Sequence, residues 1–150
     1  MFSQRQGVSL LELTVAVAII FIIAAISFPS FNGYLKYQDL KNSAKIFVSR
    51  VKQAQQETVT RQIKFAVELD LQTGDYRQLK LIQPNQVTEE YSLSDQVFFA
   101  STTGILLNQV VFNPTGAADQ SGEIILESLQ SGQQIKITIH PSGYVSWENN

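Results

Sequence analysis

The chain has 150 residues, 11 Lys/Arg, 13 Asp/Glu and no cysteine. That length holds one small domain beside a membrane-type segment, and the lack of cysteine excludes a disulfide framework, a thiolate metal site and cysteine catalysis. Residues 1–80 carry ten Lys/Arg against six Asp/Glu, but residues 81–150 carry Lys136 alone against seven acids, so the C-terminal half is a poor surface for a phosphate backbone.

Residues 1–7 form a short polar leader with one basic side chain, Arg5, ending in Gly7. From Val8 to Phe28 there is one charge, Glu12. As a helix rising about 1.5 Å per residue, this run is about 30 Å long and matches the hydrocarbon thickness of a bilayer. A transmembrane helix is predicted over 8–29. A carboxylate in such a span costs about 2.5–3.5 kcal/mol near its centre, less near an end, and persists where it finds a partner. Glu12 lies one helical turn beyond Val8. If the chain is cut after Gly7, the new Val8 ammonium lies at the same helix end, where four free N–H groups already concentrate positive potential. The amino terminus of a neighbouring copy is then the natural partner for Glu12. An ordinary secretory signal does not fit, because Ala16-Val17-Ala18 falls in the middle of the apolar run rather than at its end. A plain uncleaved anchor accounts for the hydrophobicity and leaves Gly7 and Glu12 to chance.

Pro29 disfavours helical geometry at Phe28, and Asn32-Gly33 adds a second weak point, so a bend or a new helix start is expected there. Beyond it Leu35, Leu40, Ala44, Phe47, Val51 and Ala54 recur at helical spacing, with charged and polar residues between them. This predicts an amphipathic helix from about Ser30 to Thr58, within a segment 30–60. Its basic residues Lys36, Lys41, Lys45, Arg50 and Lys52 read as a solvated face. Counted literally by the positive-inside rule, they would put the following domain in the cytoplasm.

After Thr60 the period changes to two. Ile63, Phe65, Val67 and Leu69 alternate with polar or small residues, Gln72-Thr73-Gly74-Asp75 turns the chain, and Tyr76 to Leu81 completes a hairpin that ends at Gln83-Pro84-Asn85. Further strands are predicted at Gln96 to Ala100, Leu106 to Phe112, Glu123 to Leu129, Gln134 to His140 and Tyr144 to Trp147, separated by turn chemistry such as Asn113-Pro114-Thr115-Gly116 and Pro141-Ser142-Gly143. Short strands at this spacing argue for an antiparallel sheet system over 61–150 packed on the helix, an α+β fold.

His140 is the single histidine and stands before a Pro-Ser-Gly turn, so a Ser-His-Asp arrangement has only one possible base. Glu89, Glu90, Asp95, Asp119 and Glu123 have no spacing of a dedicated Ca²⁺ loop and read as solvated loop acids. No catalytic residue, metal site or cofactor is expected. Tyr144 and Trp147 read as core and rim of the last hairpin, or, as an exposed aromatic pair, as a partner contact.

A basic polar leader, Gly7, and an apolar helix with glutamate at its fifth position resemble the class III signal of type IV pilins and type II secretion pseudopilins. The family usually has phenylalanine or methionine where this chain has Val8. The resemblance implies cleavage by prepilin peptidase between Gly7 and Val8, N-methylation of Val8, and an assembly role for Glu12 in neutralising the terminus of an adjacent subunit. Further on, Val110-Val111-Phe112-Asn113-Pro114-Thr115-Gly116, Gly122-Glu123-Ile124-Ile125-Leu126, Lys136-Ile137-Thr138-Ile139 and Gly143-Tyr144-Val145 look like the C-terminal half of the H-type minor pseudopilins, the GspH/FimT group. Some relatives there carry arginines after the last glycine and are linked to DNA uptake, whereas Tyr144 to Glu148 has none.

The resemblance implies a pilin-like fold, with the span and the amphipathic segment forming one long N-terminal α-helix packed on a small antiparallel β domain of two sheets, and a minor pilin or pseudopilin, not an enzyme, serving protein secretion, pilus biogenesis or DNA uptake. It places the chain as a single-pass protein of the bacterial inner membrane with its β domain in the periplasm or cell envelope. Its expected partners are other pilins or pseudopilins, prepilin peptidase, an inner-membrane assembly platform and the lipid bilayer; nucleic acid is not among them. The alternatives are an anchored envelope domain that binds a soluble partner and a DNA receptor at a pilus tip.

Overall fold

The computed structural model describes residues 9–82 and 84–149, and of residues 26–32 the backbone alone. One helix, α1 (Leu10–Arg61), precedes eight strands: β1 (Phe65–Leu69), β2 (Asp75–Lys80), β3 (Gln86–Ser92), β4 (Val97–Thr103), β5 (Gln109–Phe112), β6 (Gly122–Ser128), β7 (Gln134–Ile139) and β8 (Val145–Asn149). The chain divides into two compact units, Met1–Leu35 and Lys36–Asn150.

In the first unit α1 runs through Pro29 and Gly33 without interruption, so the new helix start expected there does not occur. Proline removes one intrahelical hydrogen bond, and the bonds on either side carry the helix past it. A Cβ on Gly33 would meet nothing within 4 Å, so no packing contact demands the glycine. Leu10, Leu11, Ile20 and Phe21 stand 64–80% exposed. Among the described residues no helix is long and apolar enough to cross a membrane.

In the second unit α1 buries Leu40, Ala44, Phe47, Val51 and Ala54 against two sheets, as their spacing predicts, whereas Leu35, expected at the start of the same stripe, is exposed. One sheet, here sheet A, has the order β3-β2-β1-β5 and the other, sheet B, the order β4-β6-β7-β8, all pairs antiparallel. Phe47 marks where the three layers meet: its ring lies edge-on to Tyr76 of β2 at 5.1 Å and to Phe99 of β4 at 5.4 Å. Alternation explains most strands. On β7, Ile135, Ile137 and Ile139 are buried, while Gln134, Lys136 and Thr138 face outward.

The helix ends at Arg61, three residues beyond the predicted Thr58. Thr58 itself is fully buried; its hydroxyl donates to the Ala54 carbonyl at 2.9 Å and accepts from the Phe65 amide at 3.2 Å, tying helix to β1. The predicted strand from Leu106 begins instead with a 3-10 turn, Leu106–Asn108, and pairing starts at Gln109. Strand β3 was not expected at all. Its sequence Gln-Val-Thr-Glu-Glu-Tyr-Ser is exposed along most of its length, so no alternation marks it, and it exists by pairing with β2 across a register shift at Gln78/Leu79.

Candidate functional site

At the N-terminal end, the Leu13 amide bonds to the Ser9 carbonyl at 3.1 Å, and the Thr14 hydroxyl turns back to the Leu11 carbonyl at 2.8 Å. Thr14 is thereby satisfied within its own helix. Glu12 occupies the first turn of α1 with its side chain exposed, and among the described residues no hydrogen bond or ion pair engages it. Gly7 and Val8, the expected cleavage pair, lie outside the described residues.

The C-terminal motifs come together at the far end of the domain. Asn113 Oδ1 accepts the Thr115 amide at 3.0 Å and shapes the turn to Gly116. Gln55 of α1 donates its side-chain amide to the Gly116 carbonyl at 2.6 Å. Gly143, with φ +83, lies so close that a Cβ there would enter the space of both the Gly116 carbonyl and the Gln55 amide. The Ala118 amide reaches the Pro141 carbonyl at 3.2 Å. Two turns that look generic in the sequence are therefore one clamp on α1. Gly116 and Gly143 carry a sequence signal; Gln55, one of many glutamines, carries none.

Tyr144 and Trp147 do not form an aromatic pair. Trp147 packs half-buried against the core, with the Lys41 ammonium 6.0 Å from its ring centre. Tyr144 is 62% exposed and its ring lies 5.5 Å from that of His140. His140 is held by the turn: its amide bonds to the Tyr144 carbonyl at 2.9 Å, and its Nε2 lies 3.2 Å from the Ser146 hydroxyl. The acids are dispersed in the same way. Asp119 pairs with Lys64 at 2.6 Å, and Lys136 sits between Glu148 at 2.8 Å and Glu123 at 3.7 Å. The hydrogen bond to Glu148, then the charges of both glutamates, raise the Lys136 pKa, while Lys136 lowers that of Glu148. Among the described residues no group of three or more His, Cys, Asp or Glu could hold a metal ion.

A groove of about 720 Å³ opens on sheet A near the β1–β2 turn. Glu90, Arg77, Glu68 and Gln109 are register partners in one row across its four strands. Arg77 bonds Glu68, and Gln109 donates to the other oxygen of the same carboxylate at 2.9 Å. Asp70 accepts the amides of Gln72 at 2.9 Å and Thr73 at 3.3 Å, and these two bonds hold its carboxyl below the ordinary value of 3.8. The groove's rim includes Leu107, 85% exposed with φ 54. The sequence alone does not mark this groove, because one wall, Glu90 to Ser92, belongs to the unexpected strand β3 and the rim residues Leu107 and Asn108 come from a distant turn.

The Asp70 geometry sets a sign for acid stability. A carboxyl depressed in the folded state contributes stability that is present above about pH 4 and is lost as pH falls through its folded value. Asp70→Asn, which keeps the turn acceptor and removes the titration, is expected to flatten the acid limb of a melting-temperature profile below about pH 4. An acid limb identical to that of the parent chain would refute the assignment.

A family model described as "Type II transport protein GspH" matches residues 43–143, two-thirds of the chain, from the buried stripe of α1 to the clamp glycine. The chain belongs to the GspH family. The match takes in Phe47, Gln55 and both clamp turns, so the family's region coincides with the packed domain. In fold it resembles the minor pseudopilin EpsH from the type 2 secretion system of Vibrio cholerae, with a TM-score of 0.63 and 16% identity over 74% of this chain and 97% of that one. It also resembles the type IV minor pilin FimU of Pseudomonas aeruginosa, with a TM-score of 0.61 and 8% identity over 77% of this chain and 92% of that one. No curated protein matches it by sequence. Membership of the GspH family supports a role in type II transport, as a structural subunit rather than an enzyme, and implies association with the cell envelope.

Proposed function

We infer that this GspH-family chain is a minor pilin or pseudopilin made as a precursor, cut by prepilin peptidase between Gly7 and Val8, and methylated at the new amino terminus. The observation that carries the reading is the apolar helix that starts α1, with exposed leucine, isoleucine and phenylalanine side chains and Glu12 as its single charge, joined to a domain matched by the GspH family. Exposed apolar surface of that extent needs lipid or other helices around it. The run from Val8 to Phe28 crosses the inner membrane once, and the β domain lies in the periplasm. During assembly Glu12 neutralises the Val8 ammonium of the adjacent subunit, and the helix leaves the bilayer to pack among its neighbours in a pseudopilus or pilus.

The test is the intact mass and N-terminal residue of the protein from membranes of cells with and without prepilin peptidase. A chain starting at Val8 and carrying one added methyl group, seen only when the peptidase is present, is the expected result. A chain starting at Met1 in both would refute processing and favour a domain held by a plain anchor.

A further inference from the structure

Of the strands at sheet edges, β3, β4, β5 and β8, only β3 is exposed along nearly its whole length. Just past it, the Leu93 amide donates to the Gly74 carbonyl at 3.1 Å. In an antiparallel ladder the residues that bond to the neighbouring strand alternate. Tyr91 therefore also turns its N–H and C=O toward β2, while Glu90 and Ser92 turn theirs to the open side. Lysine, proline or a bulge commonly blunts such an edge. Strand β3 contains neither residue, and its irregularity lies at Gln78/Leu79, which leaves Glu89 to Ser92 in regular register. Its two faces differ. On the outer face Glu90 stands beside Arg77, whose guanidinium is committed to Glu68, and Ser92 donates to Asp75 Oδ1 at 2.7 Å, leaving the second carboxylate oxygen for another donor. On the core face Tyr91 stacks on Tyr76 at 5.4 Å, with the Arg50 guanidinium 4.2 Å from its ring centre. Among the described residues no hydrogen bond or ion pair occupies the carboxylate of Glu89 or Glu90.

We propose that the open edge of β3 receives an antiparallel strand from a different protein, with basic side chains on the Glu90 face and apolar side chains on the Tyr91 face. Backbone hydrogen bonds supply the affinity of such an added strand, and its alternate side chains supply the specificity. Like charges opposed across a strand pair are destabilising, so Glu89 and Glu90 disfavour the same edge of a second copy, which would bring the same two acids against them. They attract a cationic segment instead. Alternate residues of the incoming strand lie about 6.8 Å apart, so successive basic side chains fall opposite Glu90 and Ser92 and reach Glu90 and Asp75. The residue between them meets Tyr91, where Arg50 already supplies positive charge and an apolar side chain extends the stack. The pairing also fixes the backbone. A residue opposite Glu90 turns its own N–H toward β3, and the apolar residues beside it turn theirs to solvent. The edge lies wholly within residues 36–150 and does not depend on cleavage after Gly7.

The probe is a fluorescent peptide of alternating arginine and valine, as long as β3 and capped at both ends, titrated by anisotropy onto the full-length protein in non-ionic detergent. Two further peptides carry N-methyl groups, one on every arginine amide and the other on every valine amide, and both keep the full charge. The parent and the valine-methylated peptides are expected to bind alike. The arginine-methylated peptide should bind about tenfold more weakly or worse, because it loses the amides that face β3. Glu89→Lys with Glu90→Lys should weaken the parent peptide by a similar factor. The same variant should also gain binding of a peptide of alternating glutamate and valine, which misfolding cannot produce. Equal binding of all three arginine peptides would mean attraction by charge alone and would overturn the proposal. So would loss on methylating valine rather than arginine, or a parent peptide that does not bind, the result expected if a second copy already closes the edge. The titration reads cut and uncut chains alike, so it stands or falls apart from the processing experiment.

Discussion

Gly143→Ala is expected to destabilise the β domain by about 4 kcal/mol and to lower its melting temperature by about 15 °C. The backbone there sits at φ +83, which costs a residue with a Cβ about 1–2 kcal/mol. The new methyl group would also push against the Gly116 carbonyl and the Gln55 amide, separating a hydrogen-bonded pair now 2.6 Å apart. That contact joins α1 to the turns preceding β6 and β8, so the strain cannot relax by moving one loop alone. A domain of this size has about 5–15 kcal/mol of stability in total, and the variant should be partly unfolded at 37 °C. Gly132→Ala is the matched control. It has a similar φ of +65 but nothing within 4 Å of its Cβ, so it should cost only the backbone term, about 1–2 kcal/mol. Thermal melts of the two variants that coincide would show that the clamp contributes nothing beyond backbone strain.

The second large effect is expected at the opposite end of the chain. Glu12→Ala should leave the melting temperature of the domain unchanged, because Glu12 is exposed and belongs to the first unit, whereas the buried core residues all belong to the second. Incorporation into filaments should nevertheless fall by about 100-fold. An ammonium left without its counter-charge in an apolar surrounding loses about 3 kcal/mol or more, and each 1.4 kcal/mol is a factor of ten. Glu12→Asp, which keeps the charge on a shorter stem, should recover part of the loss, while Glu12→Gln should not. The measurement is the ratio of sheared filament to membrane-retained protein in cells making each variant. Normal incorporation of Glu12→Ala would remove Glu12 from the assembly role.

What could be read in the sequence was whatever follows from local period and local chemistry. The 3.6-residue stripe from Leu40 to Ala54 and the alternation in β6 and β7 are each set by which face of an element meets water, and they appear where expected. The turn glycines were legible because only glycine accepts their backbone angles without strain. Tertiary structure decided the remainder. Strand β3 has no buried face to impose a period and depends on the edge that β2 offers. Pro29 fails to interrupt α1, since one missing hydrogen bond is a small loss in a helix of 52 residues. Trp147 and Tyr144, three residues apart, part company because one packs on the core and the other lies out beside His140. The Gln55–Gly116–Gly143 clamp and the acidic groove join residues far apart in the chain, whose meeting depends on how two sheets stack on one helix. A sequence specifies such contacts only through the fold as a whole, because no single segment carries the energy that brings them together.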